Sequence, residues 1–208
     1  MKQQRLCITE VTQIARRFIL NKKMDTVAYS IMQASMWSFY AILIGFFNNF
    51  LKNLNFPDSK ISLILGSTAA LSCLLQFLIV EIIGRWEKVS IHKVLLGMGI
   101  LMLGGSFMML NPWSRVFSVS GIFLACVILQ SLPAMVNSVA VNAMEHGATT
   151  NYSISRGFGS LAYSLSAFIT GRFIMMFNIN AIPILSATVS IFFIFSVKWY
   201  YSNNKKNC

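Results

Sequence analysis

Arg156 is the residue whose type and place point most directly to binding chemistry. On a helix it would share one stripe with Ser160, Ser164, Ala167 and Gly171, which recur at helical spacing. A stripe of small and polar residues is typical of a helix face that packs against other helices or lines a cavity. The guanidinium therefore has two interpretations. It binds a polar or anionic group of a substrate, or it anchors the end of a helix at a membrane surface.

Two amides in the preceding apolar segment, Asn137 and Asn142, are the partners we predict for a solute beside Arg156. A side-chain amide both donates and accepts hydrogen bonds. It can therefore contact a solute or bond one helix to another, and both interpretations stay open. Three further amides in apolar segments would face a cavity: Gln33, Asn48 and Gln130.

Glu81 and Arg85 are four residues apart, in the order that favours an ion pair along a helix. The pair has two interpretations, a contact of a cytoplasmic gate or a simple surface pair. The two histidines, His92 and His146, have no carboxylate or cysteine set around them, and no glycine-rich phosphate loop is present. We therefore predict no catalytic residues, no metal site, no cofactor and no enzyme activity.

Long apolar segments must position these side chains. Hydrophobic residues make up 56% of the chain and charged residues only 11%, well below the share of about a quarter that soluble domains carry. A membrane-spanning helix needs roughly 20 apolar residues, and six segments supply them. We predict an all-α integral membrane bundle of six transmembrane helices in a domain over 29–200, with approximate spans 31–51, 61–83, 94–111, 117–142, 156–177 and 181–199. Four glycines of the third span should let helix backbones approach closely: Gly97, Gly99, Gly104 and Gly105.

The basic residues predict the orientation of the bundle. The net charge is +11, and all but four of the 17 Lys and Arg residues fall on one side of these spans. Positive residues stay cytoplasmic, so we expect both termini inside a cytoplasmic (inner) membrane, with the lipid bilayer rather than nucleic acid as the partner of the excess charge. A basic leader, 1–28, forms either an interfacial helix or a solvated tail, and 201–208 form a cytoplasmic tail.

Several segments resemble one transporter family. Tyr152, Arg156, Gly159 and Ser160, followed by a helix of small residues, resemble the fifth helix of major facilitator transporters in the lactose permease-like and nucleoside–proton symporter-like branch. Four other stretches resemble the first, second and fourth helices of that branch: 39–52, 59–64, 76–85 and 132–138.

The resemblance implies a fold and a site. Family members have twelve helices in two halves with the substrate between them, and this chain would be the amino-terminal half. Arg156 would then contact the substrate from helix five and Asn137 from helix four. The chain departs from the family pattern in helix four and in the gate loop. Asn137 stands where an acid is frequent, Val80 and Gly84 replace the Gly and Asp of the gate loop, and only Arg85 and Lys88 of that loop remain basic.

The function we expect is alternating-access transport of a small polar solute of the sugar or nucleoside class. One half offers only one wall of a substrate path, so a second half or a homodimer would be needed. The alternative is a membrane protein that does not transport, either a truncated remnant or an assembly partner. The altered gate loop favours this alternative.

Overall fold

The computed structural model describes residues 26–85, 90–110, 114–145 and 151–205, and within these ranges it contains helices and no strands. The leader before Thr26 lies outside the described residues. The helices are α1 (26–43), α2 (Phe47–Asn53), α3 (Asp58–Arg85), α4 (Ile91–Met109), α5 (Arg115–Glu145), α6 (Tyr152–Phe177) and α7 (Ala181–Lys205).

Within the described ranges, six helical spans are long and apolar enough to cross a membrane, which confirms the prediction of a multi-pass helical membrane protein. The first span, Thr26–Asn53, contains α1, a turn at 44–46 and α2. Helices α3 to α7 correspond to the second to sixth predicted spans. In a bilayer each backbone N–H and C=O must be bonded within its own segment, so these continuous apolar segments are helical.

Asparagine residues form two of the connections. Asn55, between α2 and α3, and Asn178, at the end of α6, adopt positive φ values of 61° and 62°, which are uncommon for residues other than glycine. Asn178 lies where the sequence predicts a break, and α7 begins at Ala181. At the start of α6, the Asn151 side chain accepts a hydrogen bond from the Ile154 N–H and caps the helix.

Helix α1 lies at the centre of the bundle. Its fully buried side chains recur every three or four residues along one stripe: Tyr29, Met32, Met36, Phe39 and Leu43. The first span is 56% buried, whereas the α3 and α6 spans are only 11% and 6% buried. Helix α4 packs against α5 and α7, and α3 packs against α5. The outer faces of α3 and α6 are therefore the least covered parts of the described chain.

Glycines set the closest approach in the core, between α4 and α5. A Cβ atom added to Gly121 would lie 2.6 Å from the Gly105 carbonyl oxygen, so the two backbones touch there. Gly99 instead makes room for a side chain, since an added Cβ atom would lie 2.7 Å from Cγ1 of Ile194 in α7. The predicted close approach of backbones is thus correct for Gly105. It is wrong for Gly97 and Gly104, which face open space because they lie on the other side of α4.

Contacts between residues far apart in the sequence define the two ends of the bundle. At the end where α1 begins, called the Thr26 end, Tyr29 of α1 contacts Tyr200 of α7 with ring centroids 6.1 Å apart. The start of α1 and the end of α7 therefore lie together at the Thr26 end. The opposite end carries the connection from α2 to α3, where Lys52 and Asp58 form an exposed ion pair at 3.0 Å.

Candidate functional site

A polar network joins α1, α5 and α6 inside the Thr26 half of the bundle. Its centre is Gln33, which is fully buried. The Gln33 Nε2 donates to the Tyr29 hydroxyl at 2.8 Å and to Asn137 Oδ1 at 3.3 Å, while Gln33 Oε1 accepts from Trp37 Nε1 at 3.1 Å. Tyr29 in turn donates to the Val136 carbonyl oxygen of α5 at 3.2 Å. Because residues four apart share one face of a helix, α1 presents Tyr29, Gln33 and Trp37 together.

Helix α6 completes the network with two residues at the same spacing. The Tyr152 hydroxyl donates to Asn137 Oδ1 at 3.3 Å and accepts from Arg156 Nη1 at 3.2 Å. Arg156 and Asn137 are thus brought together, with one hydroxyl between them. We call the six side chains that take part the α1–α5–α6 network: Tyr29, Gln33, Trp37, Asn137, Tyr152 and Arg156.

Trp37 links the network to an aromatic group deeper in the bundle. Its ring lies 5.4 Å from Tyr40 and 6.4 Å from Tyr163 of α6, centroid to centroid. The Arg156 Cζ stands 5.7 Å from the Trp37 ring centroid, within cation–π range. Trp37 is eleven residues beyond Thr26, about 17 Å along a helix. The aromatic group therefore lies well inside the apolar span.

Gly159 permits this arrangement. It is buried, and a Cβ atom added there would lie 2.5 Å from Trp37 Cδ1 and 3.1 Å from Trp37 Nε1. The indole can therefore reach α6 only because this residue has no side chain. One turn toward the Thr26 end, Ser30 donates to Ser155 at 2.9 Å and forms a second contact between α1 and α6.

The stripe predicted for α6 is displaced. The residues that α6 buries are Ser155, Gly159 and Thr170, whereas Arg156, Ser160 and Ser164 are exposed. The predicted stripe lies one residue, about 100°, around the helix from the packed face. Both stripes are small and polar, so spacing alone does not distinguish them. Arg156 is consequently not buried between helices, and it lies at the edge where α6 meets α1.

The remaining predicted residues lie outside the network. Asn142 is exposed, five residues beyond Asn137 and so about 140° around α5. Its contact with a solute stays a prediction. Glu81 and Arg85 do form the predicted i,i+4 ion pair, and both side chains are largely exposed near the end of α3. Their role in a gate stays a prediction as well.

Gln130 and Asn48 differ from the network amides. Gln130 Nε2 donates to Thr68 Oγ1 of α3 at 2.8 Å. The main-chain carbonyl oxygen of Gln130 accepts a hydrogen bond from Gln76 Nε2 of α3 at 3.2 Å. Gln130 therefore bonds α5 to α3. Asn48 is exposed on α2. Of the three further amides, only Gln33 joins the polar site.

Sequence reasoning did not select Tyr29 and Trp37 for the site. Their spacing of four residues from the buried Gln33 is the signal that would have found them. Among the described residues, no three His, Cys, Asp or Glu side chains lie close enough together to hold a metal ion. No known protein family, curated protein or solved structure matches this chain.

Proposed function

We propose that the chain is one half of a solute transporter of the major facilitator type, working by alternating access on a small polar solute of the sugar or nucleoside class. The observation that carries the proposal is the position of Arg156. It is exposed on a membrane-spanning helix and hydrogen-bonded to Tyr152 of a network that joins three helices. Charged side chains of membrane spans face water, protein or the membrane interface rather than lipid tails.

The exposed face of α6 supports the requirement for a second half. Arg156, Ser160, Tyr163 and Ser164 are all exposed on this helix, whose span is only 6% buried. Polar groups of this kind are disfavoured against lipid tails. A second half or a second copy that covers this face, with water between the two, would satisfy them and form the other wall of a solute path.

The orientation follows from the same charges that the sequence presents. Arg85, Lys93, Arg156 and Lys198 lie toward the Thr26 end, and six further basic residues belong to the leader that precedes Thr26, whereas four others lie toward the opposite end. The positive-inside tendency then places the Thr26 end and both termini on the cytoplasmic side of an inner membrane. The polar site would open toward the cytoplasm in this conformation.

A non-transporting membrane protein is the second candidate. The observation that favours it is that Asn137 Oδ1 already accepts from both Gln33 and Tyr152. Hydrogen bonds of this kind also hold membrane helices together without binding a solute. A remnant or an assembly partner would use the same network as interhelical contacts.

Arg156→Ala separates the two candidates. We expect it to abolish binding of any solute that the wild type binds in lipid nanodiscs, and to abolish uptake into proteoliposomes, while membrane insertion is unchanged. Arg172→Ala is the matched control, because Arg172 is an exposed arginine on the same helix near its opposite end. Unaltered binding in Arg156→Ala would show that the guanidinium is only an anchor, whereas a folded wild type that binds none of the solutes tested would support the second candidate.

A further inference from the structure

The charge around Arg156 is unbalanced within the described structure. The chain has six acidic residues, and the two with described side chains are paired elsewhere, Asp58 with Lys52 and Glu81 with Arg85. The network partners of Arg156 are neutral phenol, indole and amide groups. The side chains of the other four acids lie outside what the structure describes: Glu10, Asp25, Glu87 and Glu145.

The amide oxygens of the network already accept hydrogen bonds from within the network. Asn137 Oδ1 accepts from both Gln33 and Tyr152, and Gln33 Oε1 accepts from Trp37. The acceptors of the network are therefore engaged by its own donors. A guanidinium has five N–H donors, and Arg156 directs Nη1 to Tyr152. The site thus presents an excess of donors together with a positive charge.

These two observations distinguish between kinds of solute. A sugar or nucleoside hydroxyl both donates and accepts, so its recognition needs acceptors as well as donors. A carboxylate only accepts, and its two oxygens match the planar fork of a guanidinium. The guanidinium lies beside Trp37, whose ring contacts Tyr40 and Tyr163, the last with 37% of its surface exposed. Aromatic rings of this kind pack against a flat or ring-shaped body.

We infer that the solute of this site is a monoanion, in which a single carboxylate binds Arg156 and a ring-shaped body lies against the aromatic group of Trp37, Tyr40 and Tyr163. The inference rests on the proposed function, because it specifies the solute of the same site. It narrows that class to acidic members, such as sugar acids or nucleoside carboxylates. The carboxylate would supply both the negative charge and the acceptors that the network lacks.

The experiment compares matched pairs of probes on the full chain in zwitterionic nanodiscs. The pairs are phenyl glucoside with phenyl glucuronide, glucose with glucuronate, and uridine with uridine 5′-carboxylate, and calorimetry gives the Kd of each. A hydrogen bond to a charged group contributes enough for about a ten- to hundredfold change in Kd. We expect the acid of at least one pair to bind tighter than its neutral partner by about this factor.

Two substitutions test whether the preference comes from Arg156. Arg156→Gln should remove it, leaving acid and neutral probe with similar Kd. Asn137→Asp keeps an acceptor for Gln33 and Tyr152 and adds a negative charge one hydroxyl away from Arg156. This variant should also lose the preference for the acid. If instead either variant, shown to be folded by circular dichroism, keeps the wild-type preference, the assignment to Arg156 is wrong.

Acids with undescribed side chains are tested directly. Asp25 precedes Thr26 in the sequence, and α5 ends at Glu145. Asp25→Asn and Glu145→Gln should leave the preference for the acid unchanged. If the preference for the acid is weak in the wild type and strong in Asp25→Asn or Glu145→Gln, the substituted carboxylate neutralises Arg156 in the wild type. That result would overturn the inference.

A lipid headgroup offers a similar anion, so a further arm adds phosphatidylglycerol to the nanodiscs. We expect glucuronide binding to be unaffected. Competition that disappears in Arg156→Gln would assign the guanidinium to lipid and overturn the solute inference. Equal binding of acid and neutral probes would overturn the anion inference and leave the proposed solute site standing. If no member of any pair binds the folded wild type, both proposals fail.

Discussion

Gly159→Ala is expected to separate α1 from α6, because the added methyl group meets the Trp37 ring. The distances from the new Cβ would be 2.5 Å to Cδ1, 3.1 Å to Nε1 and 3.3 Å to Cγ. Carbon atoms pack best at about 3.5–4.0 Å, so the indole has to move by roughly 1 Å. That movement would strain the 3.1 Å hydrogen bond from Trp37 to Gln33 and shift the surface against which Arg156 lies.

The magnitude is the difference between two opposing effects. Replacing glycine by alanine inside a helix stabilises it by about 0.5–1 kcal/mol, and overpacking typically costs about 1–3 kcal/mol. Gly157→Ala is the matched control, because Gly157 lies in the same turn of α6 and has nothing within 4 Å. We expect Gly157→Ala to be neutral or slightly stabilising, and Gly159→Ala to be about 1–3 kcal/mol less stable than the control.

Reversible unfolding of the detergent-solubilised protein, followed by circular dichroism, measures both variants. A double-mutant cycle with Trp37→Leu then isolates the contact, since neighbouring substitutions in one contact are not additive. In the Trp37→Leu background, Gly159→Ala should lose most of its cost. Equal unfolding free energies for Gly157→Ala and Gly159→Ala in the wild-type background would refute the proposed packing of α1 on α6.

Two further expectations use the same unfolding measurement. Gly121→Ala should destabilise the protein by about 3 kcal/mol, because its Cβ would meet the Gly105 carbonyl oxygen at 2.6 Å and backbone atoms yield less than a side chain. Gly104→Ala, on the open side of α4, should not destabilise the protein. A similar loss of unfolding free energy in Gly104→Ala and Gly121→Ala would contradict the close approach of α4 and α5. Glu81→Gln should cost less than about 1 kcal/mol, since its ion pair with Arg85 is exposed. A loss above about 2 kcal/mol would mean that the pair is shielded from solvent.

Much of the architecture is readable from the chain because the signals are local. Each apolar segment is long enough to cross a bilayer by itself, and a segment in lipid has few alternatives to a helix. The break after α6 is equally local, because it lies in a short turn-like segment that begins at Asn178, whose positive φ ends the helix. The pairing of Glu81 with Arg85 needs only the repeat of one helix.

The site is only partly readable in this way. An arginine and an amide in apolar segments stand out by type, so Arg156 and Asn137 are found from the sequence. Their connection is not, because it passes through Tyr152 and through Gln33 of another helix. The spacing of Tyr29 and Trp37 from Gln33 points to them only once Gln33 is known to be the buried centre of the network. Asn142 has the same residue type as Asn137, and only its place around α5 separates the two.

By itself the sequence determined that this chain spans a membrane with six helices, and that it carries an arginine and amides within or beside them. The tertiary structure decided which way each helix faces. Small and polar residues occupy adjoining stripes of α6, and the contact of Gly159 with Trp37 selects the stripe that is buried. Rotation of a helix about its axis depends on what its neighbours bring to the contact. It cannot be obtained from the spacing of one segment when two of its faces have similar composition.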